Sequence, residues 1–346
     1  MNIQIKISAQ WVWVLIVAVV IMLPNAAQAD PATTSSSAQA IASQATAQPL
    51  EKKGKNWKIK VSTMYVRDDN VVAEPTDDTV RPGNLPRAMG NFFEWSATGS
   101  LIHKFNDKLS LRAGYDVDQS IHQDSVSSYD LTSQIFGLSP TYKITPLMHL
   151  NFDYKYIWNI VDRSNYSGIH YLSPSFNYMH KTFGLTRIFF VSKIDDNWQN
   201  EARDHSEFTV GATQYYPIPQ IKGARISVGY KFVTYNSDDG LGRKFNREAH
   251  EGEIKAKTPL FWDIKMDAAL KLSQRGYDSG LARTGVLRDD TQQKYSVALS
   301  RVLAKDWICL QNLTLHGKYR HLFNHSNLRV RDYKSNLFEL GLKATF

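Results

Sequence analysis

The chain predicts an all-β fold: a closed antiparallel up-and-down transmembrane β-barrel of about fourteen strands behind a disordered N-terminal tail. Three observations predict it. Stretches near twelve residues long alternate apolar and polar side chains with period two, so each is a strand with two unlike faces. The breaks between them alternate short and long, as a meander crossing a membrane requires. Mean hydropathy is -0.37, too polar for helical spans, yet aromatics make up 12% of the chain.

The N-terminus carries the only long apolar run, 11–23, preceded by Lys6 and followed by Pro24 and by Ala27-Gln28-Ala29 before Asp30. A short apolar core with a small-x-small cleavage site predicts a secretory signal over residues 1–29 rather than a span. Residues 30–56 are rich in Ala, Ser, Thr and Gln and end in the charged patch Glu51-Lys52-Lys53-Gly54-Lys55. Such composition buries too little apolar surface to order itself and reads as a periplasmic tail. The barrel domain then occupies 57–346. Cys309 is the sole cysteine, so the fold relies on neither an internal disulfide nor a zinc cluster.

Strands are expected at 57–66, 92–104, 109–118, 128–142, 147–158, 167–180, 184–194, 206–216, 224–235, 249–258, 263–277, 290–303, 308–320 and 333–346. The short breaks are 105–108, 143–146, 181–183, 217–223, 259–262 and 304–307; the long ones are 67–91, 119–127, 159–166, 195–205, 236–248, 278–289 and 321–332. An even strand count puts both ends of the barrel on the periplasmic side. The longest break, 67–91, is a candidate for folding inward as a constriction or for lying on the surface.

Alternation is sharpest in 263–277, where Ile264, Met266, Ala268, Leu270 and Leu272 oppose Asp263, Lys265, Asp267, Lys271, Ser273 and Arg275. Strands 109–118 and 147–158 follow the same rule, while 128–142 and 167–180 alternate too poorly to fix an inward face. Charge at mid-depth on the lipid side costs about 2–4 kcal/mol, so the charged parity is assigned to a wet lumen. The lumen so inferred collects Lys104, Arg112, Lys155, Lys231, Lys255, Lys257, Lys265, Lys271, Arg275, Lys318, Arg320 and Lys343. Against them stand Glu94, Asp116, Asp118, Asp153, Glu251, Glu253, Asp263, Asp267 and Glu339. The basic excess favours passage of anions; pairing of these charges across strands is the competing reading. Trp57, Trp262 and Trp307 at the short-turn end, and Tyr65, Trp95 and Trp158 at the other, sit where interfacial aromatic belts belong.

Three stretches carry resemblances. The last, Phe338-Glu339-Leu340-Gly341-Leu342-Lys343-Ala344-Thr345-Phe346, resembles the closing strand of bacterial outer-membrane barrels, whose assembly machinery reads a terminal aromatic; the resemblance makes Phe346 the assembly signal. Tyr65-Val66-Arg67-Asp68-Asp69-Asn70-Val71 resembles the opening motif of barrels of surface lipoprotein assembly modifiers and related exporters with helical-repeat domains. That resemblance implies Asp68, Asp69 and Asn70 as the motif and a periplasmic export partner, although 30–56 is too short for a helical-repeat domain. Within 321–327, His321, His325 and Ser326 resemble in residue type the His/Ser pairing of outer-membrane phospholipases and lipid A deacylases. Adjacent His325 and Ser326 in a strand point to opposite faces, which argues against an enzyme.

His103, His149, His170, His180, His250 and His316 lack metal-ligand spacing, and neither a metal nor a cofactor is called for. No nucleic-acid motif is present. The sequence therefore predicts a Gram-negative outer-membrane channel, porin-like, for small hydrophilic and preferentially anionic solutes. Its expected partners are outer-membrane lipid, lipopolysaccharide and the barrel assembly machinery. The alternative is an export or assembly barrel for lipoprotein or polysaccharide, working with a periplasmic partner.

Overall fold

The computed structural model describes residues 56–70, 90–122, 130–180, 183–199, 201–237, 246–280, 286–307, 310–328 and 331–346. The expected signal peptide, the tail up to residue 55 and most of the 67–91 break lie outside these residues.

Fourteen antiparallel strands close into one barrel in sequence order, with the first strand bonded to the last. They are β1 (Trp57–Asp68), β2 (Gly90–Lys104), β3 (Leu109–His122), β4 (Leu131–Thr145), β5 (Met148–Val161), β6 (Ser164–His180), β7 (Gly184–Asn197), β8 (His205–Pro217), β9 (Arg225–Asn236), β10 (Arg247–Pro259), β11 (Ile264–Gly280), β12 (Leu287–Trp307), β13 (Leu310–Ser326) and β14 (Tyr333–Thr345). A single 3-10 turn, Glu201–Arg203, is the one helical element among the described residues. Strand spacing near 4.8 Å and a tilt near 40° give a fourteen-strand cylinder a backbone radius of about 14 Å.

The two faces are unlike, as the period-two pattern requires. Along β1, exposure alternates residue by residue: Trp57, Ile59, Val61 and Tyr65 are exposed, whereas Lys58, Lys60, Ser62, Met64 and Val66 are less so. The same parity rule carries Leu101, Tyr115, Phe136, Leu150, Ile188, Val210, Val228, Ile254, Leu272, Leu299, Leu315 and Leu340 outward, so an apolar belt girdles the barrel. Trp57 and Trp262 mark its short-turn edge, and Tyr65 and Trp95 its opposite edge, all exposed. Beyond that second edge the outward positions of β11–β13 become Gln274, Gln293, Thr291, His321 and His325, while backbone pairing continues out to Asp290↔Ser326.

The structure settles the two strands whose pattern was unreadable. β4 and β6 turn their odd residues inward, including Ser133, Ile135, Ser167, Ile169, Ser173, Ser175 and Asn177, all buried. Ile135, Ile157 of β5 and Ile169 lie side by side in register and form an apolar stripe on the inner wall. A second inner stripe, Val66, Phe92 and Leu337, lies across the seam where β1 meets its neighbours. Apolar residues on the wet face are what blurred the alternation.

Several boundaries depart from expectation, each for a local reason. The long break expected at 159–166 is a two-residue turn: Asp162 and Arg163 take φ of 46° and 63° between the paired residues Val161 and Ser164, the primed geometry that matches strand twist. β4 starts at Leu131 rather than 128, after Asp130 accepts a 2.6 Å bond from the His122 amide. It continues to Thr145, past the expected break at 143. β12 runs through the break expected at 304–307, because a bulge between Val302 and Ala304 absorbs one residue. β13 continues to Ser326, so the 321–327 stretch is strand rather than loop. Arg301 breaks the rule that charges occupy the inward parity: it lies outward and exposed, paired with Leu315, near the short-turn end, where a long side chain reaches the headgroup region.

Candidate functional site: the inner wall

The period-two rule places all twelve basic residues singled out in the sequence on the inward parity, and the ladder brings several of them together. Glu251 on β10 stands directly opposite Lys231 on β9. Its Oε2 lies 2.7 Å from the Lys231 Nζ and 2.8 Å from the Lys271 Nζ on β11. Ser273 Oγ donates to the other carboxylate oxygen at 3.3 Å, and Arg275 donates to Ser273 and, at 2.7 Å, to Gln292 Oε1 on β12. The strands supply this network because each residue sits two positions from the next along its own strand, hence on one face.

Pairing accounts for further members of the set. Lys255 bonds Glu253 at 2.8 Å, Lys257 bonds Asp267 at 2.9 Å, and Lys318 bonds Glu339 at 2.6 Å. Lys155 reaches toward the Tyr171 ring, 5.9 Å from its centroid. Cross-strand pairing therefore consumes part of the basic excess. Lys265 and Lys343 make no ion pair among the described residues and lie at the short-turn end, toward which Lys104 and Arg112 also point.

The ladder adds basic residues that the sequence did not single out. Lys294 stands directly opposite Lys271 in register, one inward step from Arg320, already among the twelve, which pairs with Ser296 from β13. A readable signal existed for Lys294, since it shares parity with Gln292, Ser296 and Ala298. Arg247 and Arg288 escaped notice because they fall in segments expected to be loops. Lys305 escaped because it falls in the break expected at 304–307, through which β12 continues. Lys58, Lys60, Lys143, Arg187, Lys193 and Arg225 also lie on the inward parity.

Charge is unevenly spread around the ring. From β9 to β13 the inward parity carries Lys231, Lys255, Lys257, Lys265, Lys271, Arg275, Lys294, Lys318 and Arg320 among its cations, against Glu251, Glu253, Asp267 and Asp290. Beyond β14 and β1, strands β2 and β3 present Glu94, Asp116 and Asp118, Ser120 donating to Glu94 at 3.5 Å, and Glu94 lies within electrostatic reach of Lys318 and Arg320. Near the long-loop end, rings and guanidinium groups alternate along successive strands. His205 stacks on Tyr235 with centroids 4.1 Å apart, Arg247 lies 4.4 Å over Tyr235, and Arg288 lies 4.2 Å over Tyr277. Arg288 is held in turn by the buried Asp290, at 2.9 and 3.0 Å from its Nε. Each such cation–π contact contributes about 0.5–2 kcal/mol, so this end of the wall is stiffly built.

The Asp68-Asp69-Asn70 motif fastens the seam. Asp68 accepts from the Asn70 amide and the Ser335 hydroxyl, both at 2.9 Å. Asp69 accepts from the Asn336 amide and side chain, both at 2.6 Å, and Asn70 donates to the Lys334 carbonyl at 2.9 Å. All three residues thus tie the exit of β1 to β14. Phe346 lies on the outward parity, its amide bonded to the Ile59 carbonyl at 2.9 Å. In the 321–327 stretch, Ser326 is buried with its hydroxyl engaged by the Leu328 amide at 3.2 Å, while His325 is exposed on the opposite face, 3.6 Å from Asp332. Serine and histidine do not meet. Of the other histidines, His149 and His316 face inward, whereas His170 and His250 face outward and bond the hydroxyls of Tyr154 and Tyr230.

No protein-family model matches the chain, and no curated protein sequence does. Solved structures are similar in fold. The outer membrane channel DcaP of Acinetobacter baumannii superposes with a TM-score of 0.51 at 11% identity, covering 86% of this chain and 99% of that one. A FadL homologue of Pseudomonas aeruginosa gives 0.47 at 11% identity, covering 84% and 90%. OccK3 of the same organism gives 0.44 at 10% identity, covering 84% and 95%.

Proposed function

We propose that this chain is an outer-membrane channel through which small hydrophilic solutes diffuse, with a preference for anions, and that it is not an enzyme. One observation carries the reading: a continuous basic face on β9–β13, in which Lys231 and Lys271 share the single carboxylate of Glu251 and Lys294 stands beside Lys271. A wall with more cations than acids lowers the barrier to anions and raises it for cations. The twelve sequence-selected residues and Lys294 form the solute path in this reading. The fold shared with outer membrane channels supports it, as does the apolar belt, whose partners would be membrane lipid and lipopolysaccharide.

Reversal potentials across a planar bilayer holding the purified protein test the proposal. A salt gradient should give an anion-to-cation permeability ratio above one at neutral pH. No conductance, or preference for cations, would overturn it. The export reading with a periplasmic partner draws on residues 68–70, and these are occupied in closing the seam.

A further inference from the structure

The inner wall holds a pocket at its short-turn end that the path just described does not explain. A cavity of about 390 Å³ is lined by the β10–β11 turn, with Leu260 and Asp263, and by Lys265, Lys305, Asn312, Thr314, Lys343 and Thr345 of β11–β14. That volume falls in the range of small-molecule sites, about 300–1,000 Å³. The pocket owes its third lysine to an irregularity. Up to Val302, opposite Thr314, the even residues of β12 face inward; past the extra residue Leu303, Ala304 pairs with Leu313 and Lys305 with Asn312. Since Asn312 is inward, Lys305 is inward too. A bulge re-aims a side chain in this way at the cost of one ladder position. Without it, Lys305 would share the outward face of Arg301.

None of the three lysines has an ion pair among the described residues. Asp263 is the only acid lining the cavity, and Asp267, the nearest acid along β11, is already bonded to Lys257 at 2.9 Å. Lys60, opposite Thr345 in register, extends the cationic lining onto β1. Three ammonium groups offer point charges with rotatable donors, and an amide and two hydroxyls add neutral hydrogen-bonding groups. Ammonium groups bind phosphate as point charges that several oxygens can share, without the fixed bidentate geometry by which a guanidinium fork holds carboxylate or phosphate.

We infer that this bulge-built pocket binds the phosphoryl group of a small polyanionic solute at the periplasmic mouth of the barrel. The inference extends the channel reading, on which it relies only for solute access to the inner wall. Its test is equilibrium dialysis of the full-length protein in detergent against inorganic pyrophosphate, with heat-modifiable gel mobility reporting that each variant is folded. Wild type should bind saturably. Lys305→Gln should weaken binding about tenfold, and Lys305→Gln with Lys343→Gln should weaken it further. Lys222→Gln, the same charge change on an exposed turn outside the cavity, should leave binding in place.

Absence of saturable binding by wild type would overturn the inference. So would equal affinity in wild type and the Lys305 variant, an equal loss in the Lys222 variant, or tighter binding of citrate than of pyrophosphate. Binding in detergent needs no current. A conducting barrel that ignores pyrophosphate sinks the pocket alone, and a pyrophosphate-binding barrel that does not conduct sinks the channel alone.

Discussion

Replacing Glu251 by Gln removes one negative charge from between two ammonium groups. Glu251 is 7% exposed, and the Lys271 side chain 17%; Lys231, at 36%, has more access to lumenal water. Taking away one partner of a buried pair costs about 3–5 kcal/mol, because the charge left behind is uncompensated. Here the loss falls at the lower end, about 3 kcal/mol: the glutamine oxygen still accepts one hydrogen bond, and water screens Lys231. Urea titration of the barrel in detergent, followed by tryptophan fluorescence, measures it. The same variant adds one net positive charge to the basic face, so its anion-to-cation permeability ratio should rise. A change in unfolding free energy below about 0.5 kcal/mol, the range of an ordinary surface substitution, together with an unmoved ratio, would refute the idea that Glu251 holds the two lysines.

Other outcomes follow from the same wall. Lys294→Gln removes a like charge standing opposite Lys271, so it should lower anion preference in reversal-potential measurements. Asp69→Ala breaks two 2.6 Å bonds to Asn336 at the seam and should cost about 2–3 kcal/mol, read as a lower urea midpoint with unchanged slope. Replacing Asp162-Arg163 by Asn-Gly keeps the primed turn but relieves two side chains of positive φ. The swap should stabilise the barrel by about 1 kcal/mol in that titration. Gly184→Ala should do the opposite by more than about 1 kcal/mol: φ is +79° there, and an added Cβ would meet Pro217 Cδ at 2.7 Å.

How far the sequence could be read depended on what each residue faced. Where apolar residues lined one side and charges the other, as in Ile264 to Arg275, parity alone gave the strand and its inward face. It failed at β4 and β6, because Ile135 and Ile169 pack against Ile157 inside the barrel and erase the contrast. Strand ends were misjudged wherever polar residues continued to pair through their backbones. His321 and Asn324 look like loop by composition but sit in ladder with Asn336 and Tyr333. The inward basic residues between the expected ends were legible; Arg247 and Arg288 beyond them were not. Lys305 was hidden in the break expected at 304–307, which the bulged β12 runs through.

The unequal strand lengths have a consequence outside the bilayer. β12 extends eight residues past Tyr295 toward Leu287, a rise of about 20 Å once tilt is allowed for. On this flank the protein meets the cell's surroundings as a palisade of paired strands, faced with glutamine, threonine and histidine. Amides there should exchange with deuterated water as slowly as those within the apolar belt, leaving a stiff one-sided parapet above it.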